Sequence, residues 1–242
     1  MAQVKPHVTL LEHTPNPDKT VALAAKLCYS DSDIMGLKEK IDEKEQAKFI
    51  EKLTSFSHYS PIEHASFTFG IEGVSRAFLA QITRHRIASF SVKSQRYVGA
   101  SENFNYIIPP AIEALGEDAV KEYTEEMKTI GSWYEKWQEK LGGNKESSNE
   151  DARFVLPNAA ETKMVMTMNA RELRHFFSLR CCNRAQWEIR EVAWQMLKLC
   201  KEDAPALFAN AGPSCILGRC AEGAKTCGKM AEVKEKYENL LK

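Results

Sequence analysis

The sequence lacks the features of a membrane protein, a secreted protein or a Rossmann-type dinucleotide-binding protein. No apolar run approaches the roughly 18 residues that a membrane helix requires, and the first residues lack the apolar stretch of a signal peptide. No Gly-x-Gly-x-x-Gly motif occurs, so a dinucleotide bound in Rossmann fashion has no support. We therefore expect a cytoplasmic protein with no membrane partner and with a different fold.

The cysteines do not form the even, regularly spaced framework of a disulfide-stabilised domain. Seven occur in 242 residues, and Cys181 and Cys182 are adjacent, so we expect reduced thiols. Three more lie in a segment with the spacing C-x4-C-x6-C, namely Cys215, Cys220 and Cys227. These three could ligate zinc with a fourth partner, but the spacing fits no common structural zinc site. We favour ordinary thiols.

The histidines form no recognised metal motif either. Segment 58–64, HYSPIEH, places two histidines and a glutamate close together. Pro61, however, excludes the helix that an HExxH zinc site requires. We interpret the segment as a turn that positions polar groups beside a ligand, and we predict no metal site.

Length and periodicity predict a single α+β domain over residues 1–242, with a Gly- and Cys-rich tail from about residue 212. Period-two alternation predicts strands at HASFTFGIEG and TKMVMTM. Apolar residues at helical spacing predict helices over 21–30, 39–53, 75–83, 111–141, 170–180 and 185–201, and Asn169 is a suitable N-cap. Few strands without βαβ alternation favour a small mixed or antiparallel sheet packed with several long helices.

The net charge is zero, yet the positive charge is concentrated. Eight of the 11 arginines fall within residues 84–96 and 169–190, which carry net charges of +4 and +3, so the remainder of the chain carries −7. The planar guanidinium grips phosphate or carboxylate through paired hydrogen bonds, whereas lysine mostly solvates a surface. The segregated arginines therefore predict one anion-binding pocket.

Segment 84–96, RHRIASFSVKSQR, has two further properties that favour a pocket over a solvated basic loop. Ile87, Phe90 and Val92 are expected to bury part of it, and its serines and Gln95 add neutral hydrogen-bonding groups suited to phosphate and base edges. A nucleic-acid surface would require a broad basic track, which the −7 elsewhere argues against. We interpret the segment as one that grips phosphate.

The segment also resembles the signature of the flavin-dependent thymidylate synthases, in which RHR is followed after seven residues by serine. Here these are Arg84–Arg86 and Ser94, followed by Arg96. Four other blocks resemble that family in the same order, namely HYSPIEH, Arg153 before LP, NAR at 169–171 and SLRCCNRAQWEIR. The resemblance runs from about Cys28 to about Ala209 and leaves the cysteine-rich tail outside.

The resemblance implies a reaction and an assembly. The family's members reductively methylate dUMP to dTMP, with FAD as redox cofactor, methylenetetrahydrofolate as carbon donor and NADPH as reductant. They are homotetramers whose active sites form at subunit interfaces. We accordingly expect these ligands, a homotetramer and no nucleic-acid partner.

The resemblance also implies site residues. The positions that match the family's nucleotide-binding residues, and are expected to bind dUMP, are Gln81, Arg84, Ser94, Gln95, Arg96, Arg153 and Arg180. The positions that match its flavin-binding residues, and are expected to bind FAD, are His58, Ser60, Arg84, His85, Arg86, Val92, Asn169, Arg171 and His175. The chain departs from the family's usual residues at His175, where Asn is frequent, and at Arg184, where His is frequent.

Arg180 is the expected catalytic residue. It matches the arginine beside the uracil ring, where a fixed cation favours the ionised N3 and polarises the base. Ser94 has an alternative interpretation as a nucleophile, but a serine hydroxyl is weak without an activating His and Asp. We favour phosphate binding for Ser94, since hydride comes from reduced flavin in this chemistry and no covalent enzyme nucleophile is required.

A second hypothesis, from another class, is a nucleotide- or RNA-binding protein that uses the same arginines without redox chemistry. Bound flavin favours the enzyme. Affinity for oligonucleotides that weakens steeply with salt favours the binding protein.

Overall fold

The strands and helices are given by a computed structural model, which describes residues 2–41, 43–56, 58–99 and 104–242. The strands are β1 (His7–His13), β2 (Ser66–Ser75), β3 (Ala88–Val92) and β4 (Glu161–Asn169). The α-helices are α1 (Pro17–Leu27), α2 (Ile34–Lys40), α3 (Glu43–Ser55), α4 (Arg76–Ile82), α5 (Pro110–Glu113), α6 (Glu117–Lys140), α7 (Glu146–Ala152), α8 (Ala170–Arg180), α9 (Trp187–Asp203) and α10 (Met230–Glu238). Short 3-10 turns occupy Pro61–His64, Arg153–Val155, Ser214–Leu217 and Gly223–Lys225.

The strands form one antiparallel sheet in the order β1-β2-β4-β3. Backbone hydrogen bonds show the register of β2 against β4. The Ala170 N–H donates to the Ala65 carbonyl at 2.8 Å beyond one end, and the Arg76 N–H donates to the Ala160 carbonyl at 3.1 Å beyond the other. A small antiparallel sheet combined with long helices confirms the α+β prediction.

The chain divides into two units. The first comprises Met1–His7, Ile71–Arg84 and Phe90–Val165, and the second comprises Val8–Gly70, His85–Ser89 and Met166–Lys242. Residues of all four strands are therefore divided between the units. The single domain over residues 1–242 stays a prediction.

In the first unit, the long helix α6 covers an apolar cluster. Met127 of α6 packs with Phe104, Tyr106, Ile108 and Ala160, and more weakly buried apolar side chains surround them. The prediction of a single helix over residues 111–141 is wrong at one place. The chain forms α5, then reaches Gly116 with φ +104°, and only then begins α6. Positive φ is the conformation that glycine adopts without strain, so this residue interrupts the helix.

In the second unit, α8 and α9 pack together and present aromatic side chains to the core. Phe67 of β2 meets Phe208 edge to face with ring centroids 5.3 Å apart, and Phe177 of α8 meets the same ring at 6.0 Å. Such pairs add about 0.5–1.5 kcal/mol to the burial of their area. This packing fixes α8 against the strand that precedes the 84–96 segment in the chain.

The expected helix over 39–53 is also wrong at its start. Helix α2 ends at Lys40, and α3 begins at Glu43. Between them, Ile41 has extended dihedral angles, φ −87° and ψ 109°, and its side chain packs with Ala22 and Leu37. Burial of this isoleucine in an extended conformation outweighs the helical periodicity of its neighbours.

The 84–96 segment contains strand β3, which is absent from the predicted elements, although Ser89 and Ser91 alternate with Phe90 and Val92 at the period of a strand. Phe90 and Val92 are half-buried, as expected. Ile87 is 65% exposed, so the expectation that it helps to bury the segment is wrong. The helix predicted over 170–180 is present with the same bounds, and the other predicted strands and helices are present with shifted ends. Among the described residues, every helix is too short or too polar to span a membrane.

Gly73 in β2 provides a test of the backbone geometry. Its φ is +67°, and an added Cβ would overlap with the carbonyl oxygen of Lys5. Gly73→Ala should therefore lower the free energy of unfolding by about 2–4 kcal/mol. Gly70→Ala, in the same strand, is the matched control, because its Cβ would meet Leu11 at an ordinary 3.5 Å. Urea denaturation measures both, and equal losses in the two variants would contradict this account.

Candidate active site

The sequence-predicted site residues are distributed over both units. Most residues expected to bind dUMP lie in the first unit, namely Gln81, Arg84, Ser94, Gln95, Arg96 and Arg153, while Arg180 lies in the second. Most residues expected to bind FAD lie in the second unit, namely His58, Ser60, His85, Arg86, Asn169, Arg171 and His175, while Arg84 and Val92 lie in the first. Each unit therefore contains its own group of candidate residues.

His85, the central residue of RHR, is the most buried of these side chains, with 6% of its surface exposed. It lies along one face of α8. Its Nδ1 is 3.1 Å from Oε1 of Glu172, its ring meets Phe176 edge to face at 5.0 Å, and its Nε2 is 3.0 Å from Nε of Arg180. The three α8 residues are spaced four apart and therefore follow one another along one side of the helix. Both ring nitrogens of His85 thus have protein partners.

These partners determine the protonation state of His85. A guanidinium only donates hydrogen bonds, so Nε2 accepts from Arg180 and carries no proton. The proton of the neutral ring is then on Nδ1, which donates to the Glu172 carboxylate. Burial lowers the pKa of His85 below its usual value; Glu172 opposes this shift, and the nearby charge of Arg180 adds to it. His85 is therefore an uncharged imidazole at neutral pH.

The start of α8 positions Glu172. The side chain of Asn169 accepts a hydrogen bond from the Glu172 N–H at 2.9 Å, so Asn169 is the N-cap, as predicted. Glu172 stands in the first turn and Arg180 in the last, where the helix dipole favours an acidic and a basic side chain respectively. Glu172 is only 8% exposed. Nothing in the local sequence identifies Glu172, because its partner His85 lies 87 residues away.

The remaining second-unit candidates are more accessible. Arg171 is half-exposed and forms an ion pair with Glu63 of the 3-10 turn Pro61–His64, so the predicted turn is present. The ring of His175 is 6.4 Å from that of His85. The other exposed side chains are His58, Ser60 and Arg86. These imidazole, hydroxyl and guanidinium groups are suited to the phosphates and carbonyls of a dinucleotide.

In the first unit, residues 94–98 form a turn. The Val98 N–H donates to the Ser94 carbonyl, and the Arg96 N–H donates to the Ser94 Oγ, both at 3.2 Å. The Arg96 guanidinium pairs with two carboxylates of α7, Glu146 at 2.8 Å and Glu150. Half-exposed pairs of this kind contribute at most about 1 kcal/mol each. A phosphate group could therefore replace them at small cost.

A buried cluster of uncharged amides holds this turn. The Asn149 side chain donates to the Arg96 carbonyl at 3.0 Å, and its oxygen accepts from Gln138 at 2.5 Å and from the Tyr134 hydroxyl at 3.3 Å. Gly99 lies so close that an added Cβ would be 2.7 Å from the side-chain oxygen of Asn144. The cluster therefore fixes the backbone next to Ser94 and Gln95. Sequence patterning did not find it, because amides on a helix are usually solvated.

A cavity in the first unit is lined by Gln95 together with Lys93, Asn105 and Glu161, among others. Thr162 also lines it, and the buried hydroxyl of Thr162 has no hydrogen-bond partner within the described ranges. Buried polar groups are nearly always paired, so this hydroxyl is available to a bound polar molecule. Neither Thr162 nor the cavity was foreseen from the sequence.

Arg153 has a second arginine as its neighbour. Burial, and to a smaller extent the nearby charge of Arg153, lower the pKa of Arg76 from its usual value. The Arg153 Nε donates to the Glu150 carbonyl at 3.0 Å. Neither guanidinium has a carboxylate within ion-pair distance among the residues described. Two adjacent cations without acidic partners favour an anion.

The C-terminal cysteines take no part in these groups. All seven cysteines are free, and burial, together with the nearby Cys182, Cys220 and Cys227, raises the pKa of Cys215. No three His, Cys, Asp or Glu side chains among the described residues are arranged to hold a metal ion.

Comparison with known proteins identifies the family to which the chain belongs. A model of the family described as thymidylate synthase complementing protein matches residues 9–206. The chain is 49% identical to the flavin-dependent thymidylate synthase of Geobacter sulfurreducens over 96% of its own length and 98% of that protein. The chain belongs to the flavin-dependent thymidylate synthase family. The resemblance seen in the sequence is thus confirmed, and the binding protein without redox chemistry is not favoured.

Other relatives of this flavin-dependent thymidylate synthase family match over similar lengths. The protein of that name from Clostridium tetani is 49% identical over 95% of this chain and 96% of its own, and that from Pyrococcus horikoshii is 42% identical over 97% and 98%. A solved structure of the UMP/dUMP methylase PolB from Streptomyces cacaoi superposes with a TM-score of 0.72 at 24% identity, covering 86% of this chain and 95% of that one. The last comparison shows a shared fold.

The tautomer of His85 can be measured directly. Nitrogen NMR of the ligand-free protein should show a neutral ring with its proton on Nδ1, and this signal should persist below about pH 6.5, the usual pKa of histidine. Because the folded-state pKa is lowered, the stability that His85 contributes is present above pH 6.5 and is lost as the pH falls through the folded-state value. The His85→Gln variant identifies the signal by its disappearance. A ring protonated on Nε2, or doubly protonated at pH 7, would contradict the hydrogen-bond assignment.

Proposed function

We propose that the protein converts dUMP to dTMP by reductive methylation, with FAD as cofactor, methylenetetrahydrofolate as carbon donor and NADPH as reductant. The observation that carries the proposal is the match to curated flavin-dependent thymidylate synthases at 49% identity over nearly the full length of both chains. The grouping of the candidate arginines supports it. We further propose a homotetramer, on the basis of the family resemblance alone, and a cytoplasmic location, as expected from the sequence.

The second-unit candidates fit a flavin dinucleotide. Arg171, Arg86, His58 and Ser60 are exposed donors that suit its phosphates, and the ion pair of Arg171 with Glu63 is half-exposed and can be exchanged for a phosphate. When bound, FAD supplies the hydride that reduces the transferred carbon. The chain's contribution is to bind and orient it.

The first-unit candidates fit a nucleotide monophosphate. The turn at 94–98 offers the Ser94 hydroxyl and the Arg96 guanidinium, and Arg153 stands beside Arg76 without an acidic partner in the described residues. We therefore add Arg76 and the Thr162 hydroxyl to the residues proposed to bind dUMP. Glu146 and Glu150 hold Arg96 in place before the phosphate arrives.

Arg180 is proposed to act on the uracil ring. A guanidinium held in place at a developing negative charge stabilises it without reorganisation, which is worth roughly 2.7–4 kcal/mol for a single donor. In the structure, Arg180 donates from Nε to the uncharged His85. The positive charge of Arg180 is therefore not neutralised by its contact with His85, and it can stabilise the ionised N3 of dUMP.

The proposed function has a direct test. The purified protein should be yellow or become yellow when FAD is added, and NADPH should bleach the flavin spectrum under anaerobic conditions. With methylenetetrahydrofolate it should release tritium from 5-tritiated dUMP and form dTMP. A protein that takes up no FAD and releases no tritium contradicts the proposal.

Substitution of Arg180 separates its role from flavin binding. Arg180→Ala should lower dTMP formation at least about 100-fold while FAD stays bound, because its proposed partner is the uracil.

Ser94→Ala should instead weaken dUMP binding about tenfold and retain turnover at saturating dUMP. Arg219→Ala is the matched control, since Arg219 is exposed and lies outside the family match. Unimpaired turnover in Arg180→Ala would remove Arg180 from the mechanism, and complete loss with normal dUMP affinity in Ser94→Ala would favour a nucleophilic serine.

A further inference from the structure

The contact between His85 and Arg180 joins two residues to which the family resemblance gives separate duties, one toward FAD and one toward dUMP. The structure shows that they share a hydrogen bond of 3.0 Å between Nε of Arg180 and Nε2 of His85. The other ring nitrogen of His85 is bonded to Glu172 at 3.1 Å. Neither ring nitrogen of His85 can bond to a flavin unless its contact with Glu172 or with Arg180 is broken.

The contact also restrains the orientation of Arg180. The bond is made through Nε, the guanidinium nitrogen nearest the helix, and not through the terminal Nη atoms. A hydrogen bond at Nε holds the plane of the guanidinium group, whereas an arginine bonded only at its tip can rotate about its stem. The His85 ring is itself held by Phe176 and Glu172. Arg180 is thus fixed by a neighbour that cannot move freely.

We propose that His85 and Glu172 are positioning residues for Arg180: Glu172 holds the uncharged His85 in the tautomer that accepts from Nε of Arg180, so that the guanidinium is already oriented when the uracil binds. The role of Arg180 itself rests on the proposed function. His85 acts through Arg180, and its contribution to flavin binding is minor.

Glu172 is required because an imidazole has two neutral tautomers. Only the form with its proton on Nδ1 leaves a lone pair on Nε2 for Arg180. A carboxylate at Nδ1 favours that form, in the same way that a carboxylate selects the tautomer of a catalytic or metal-binding histidine. Without it, the other tautomer would place an N–H against the guanidinium N–H.

Protonation of His85 removes the same lone pair. The ionisable groups that act on the ring are Glu172, Arg180 and His175, all from α8, and Phe176 adds an apolar surface. A doubly protonated His85 would also be a cation next to a cation. Turnover should therefore fall as the pH decreases and His85 takes up a proton. Because Glu172 favours the protonated form of His85, it should set the pH at which this acid limb of the pH profile lies.

The test compares His85→Gln with His85→Leu. The glutamine oxygen can accept from Arg180 but does not titrate, so His85→Gln should retain turnover within about tenfold and lose the acid limb that His85 causes. Leucine cannot accept, so His85→Leu should lower kcat/KM for dUMP by about ten- to 100-fold. The FAD content should stay at the wild-type level in both variants. His13→Leu is the matched control, because His13 stacks on Phe67 in the same unit and is not proposed to touch any ligand.

Glu172→Gln provides an independent check. It should lower kcat several-fold, because the tautomer is no longer selected by a charge, and it should move the acid limb to lower pH. A merely structural role for Glu172 would lower the folding stability without moving the limb. If the acid limb of the pH profile of Glu172→Gln lies at the wild-type pH, the proposal is overturned. Wild-type turnover in His85→Leu would overturn it as well. Loss of FAD from both His85 variants would assign the residue to the flavin instead.

A measurement on the ligand-free protein separates this proposal from the proposed function. The Nε–H NMR signal of Arg180 should be protected from solvent exchange in the wild type and in His85→Gln, and exposed in His85→Leu. If the wild type forms no dTMP but the signal behaves in this way, the proposed function fails and the positioning of Arg180 stands. If dTMP forms but the signal does not depend on residue 85, the positioning proposal fails alone. Should His85→Leu not fold, Glu172→Gln and His85→Gln decide the question.

Discussion

The candidate site of the second unit depends on one constraint, the burial of an uncharged imidazole between a carboxylate and a guanidinium. Three turns of α8 supply Glu172, Phe176 and Arg180 to one face of His85. A buried imidazolium beside a guanidinium would be costly, so burial and the nearby cation both keep the ring neutral. A neutral ring, in turn, does not neutralise the charge of Arg180. Electrostatics and packing therefore favour the same arrangement, which is expected of a site that is organised before its ligand binds.

In the first unit, other groups hold the candidate binding residues in place. Its turn at 94–98 is held by the backbone carbonyl of Arg96, which accepts from Asn149 in a buried amide cluster, while the Arg96 side chain pairs with the carboxylates of α7. Asn149, Gln138 and Tyr134 of this cluster are buried and joined by hydrogen bonds, and the charged pairs of Arg96 are half-exposed and exchangeable. The backbone is thus rigid where a phosphate would be recognised, and the charge remains available to it.

A helix or strand could be predicted from the sequence where its cause lies within a few residues of it. The cap at Asn169, the period of α8 and the alternation in β2 and β4 all have their causes within a few residues of sequence, and they were placed correctly. The single helix expected over 111–141 is two, because Gly116 adopts positive φ. Strand β3 is absent from the predicted elements, although Ser89 and Ser91 alternate with Phe90 and Val92 over its five residues. The outcome at such positions is decided by what packs against them.

By itself, the sequence determined the family, since ordered blocks such as RHR with Ser94 and Arg96 are a property of the chain alone, and it also determined where positive charge is concentrated. Only the tertiary structure decided which groups meet. Glu172 and Arg180 lie 87 and 95 residues from His85, and the Arg96 carbonyl lies 53 residues from its amide partner. Contacts at such separations depend on how the strands and helices between them fold back and bury their apolar faces. Periodicity and composition describe each element but not its neighbours, and for this reason the tautomer of His85 and the orientation of Arg180 could be read only from the fold.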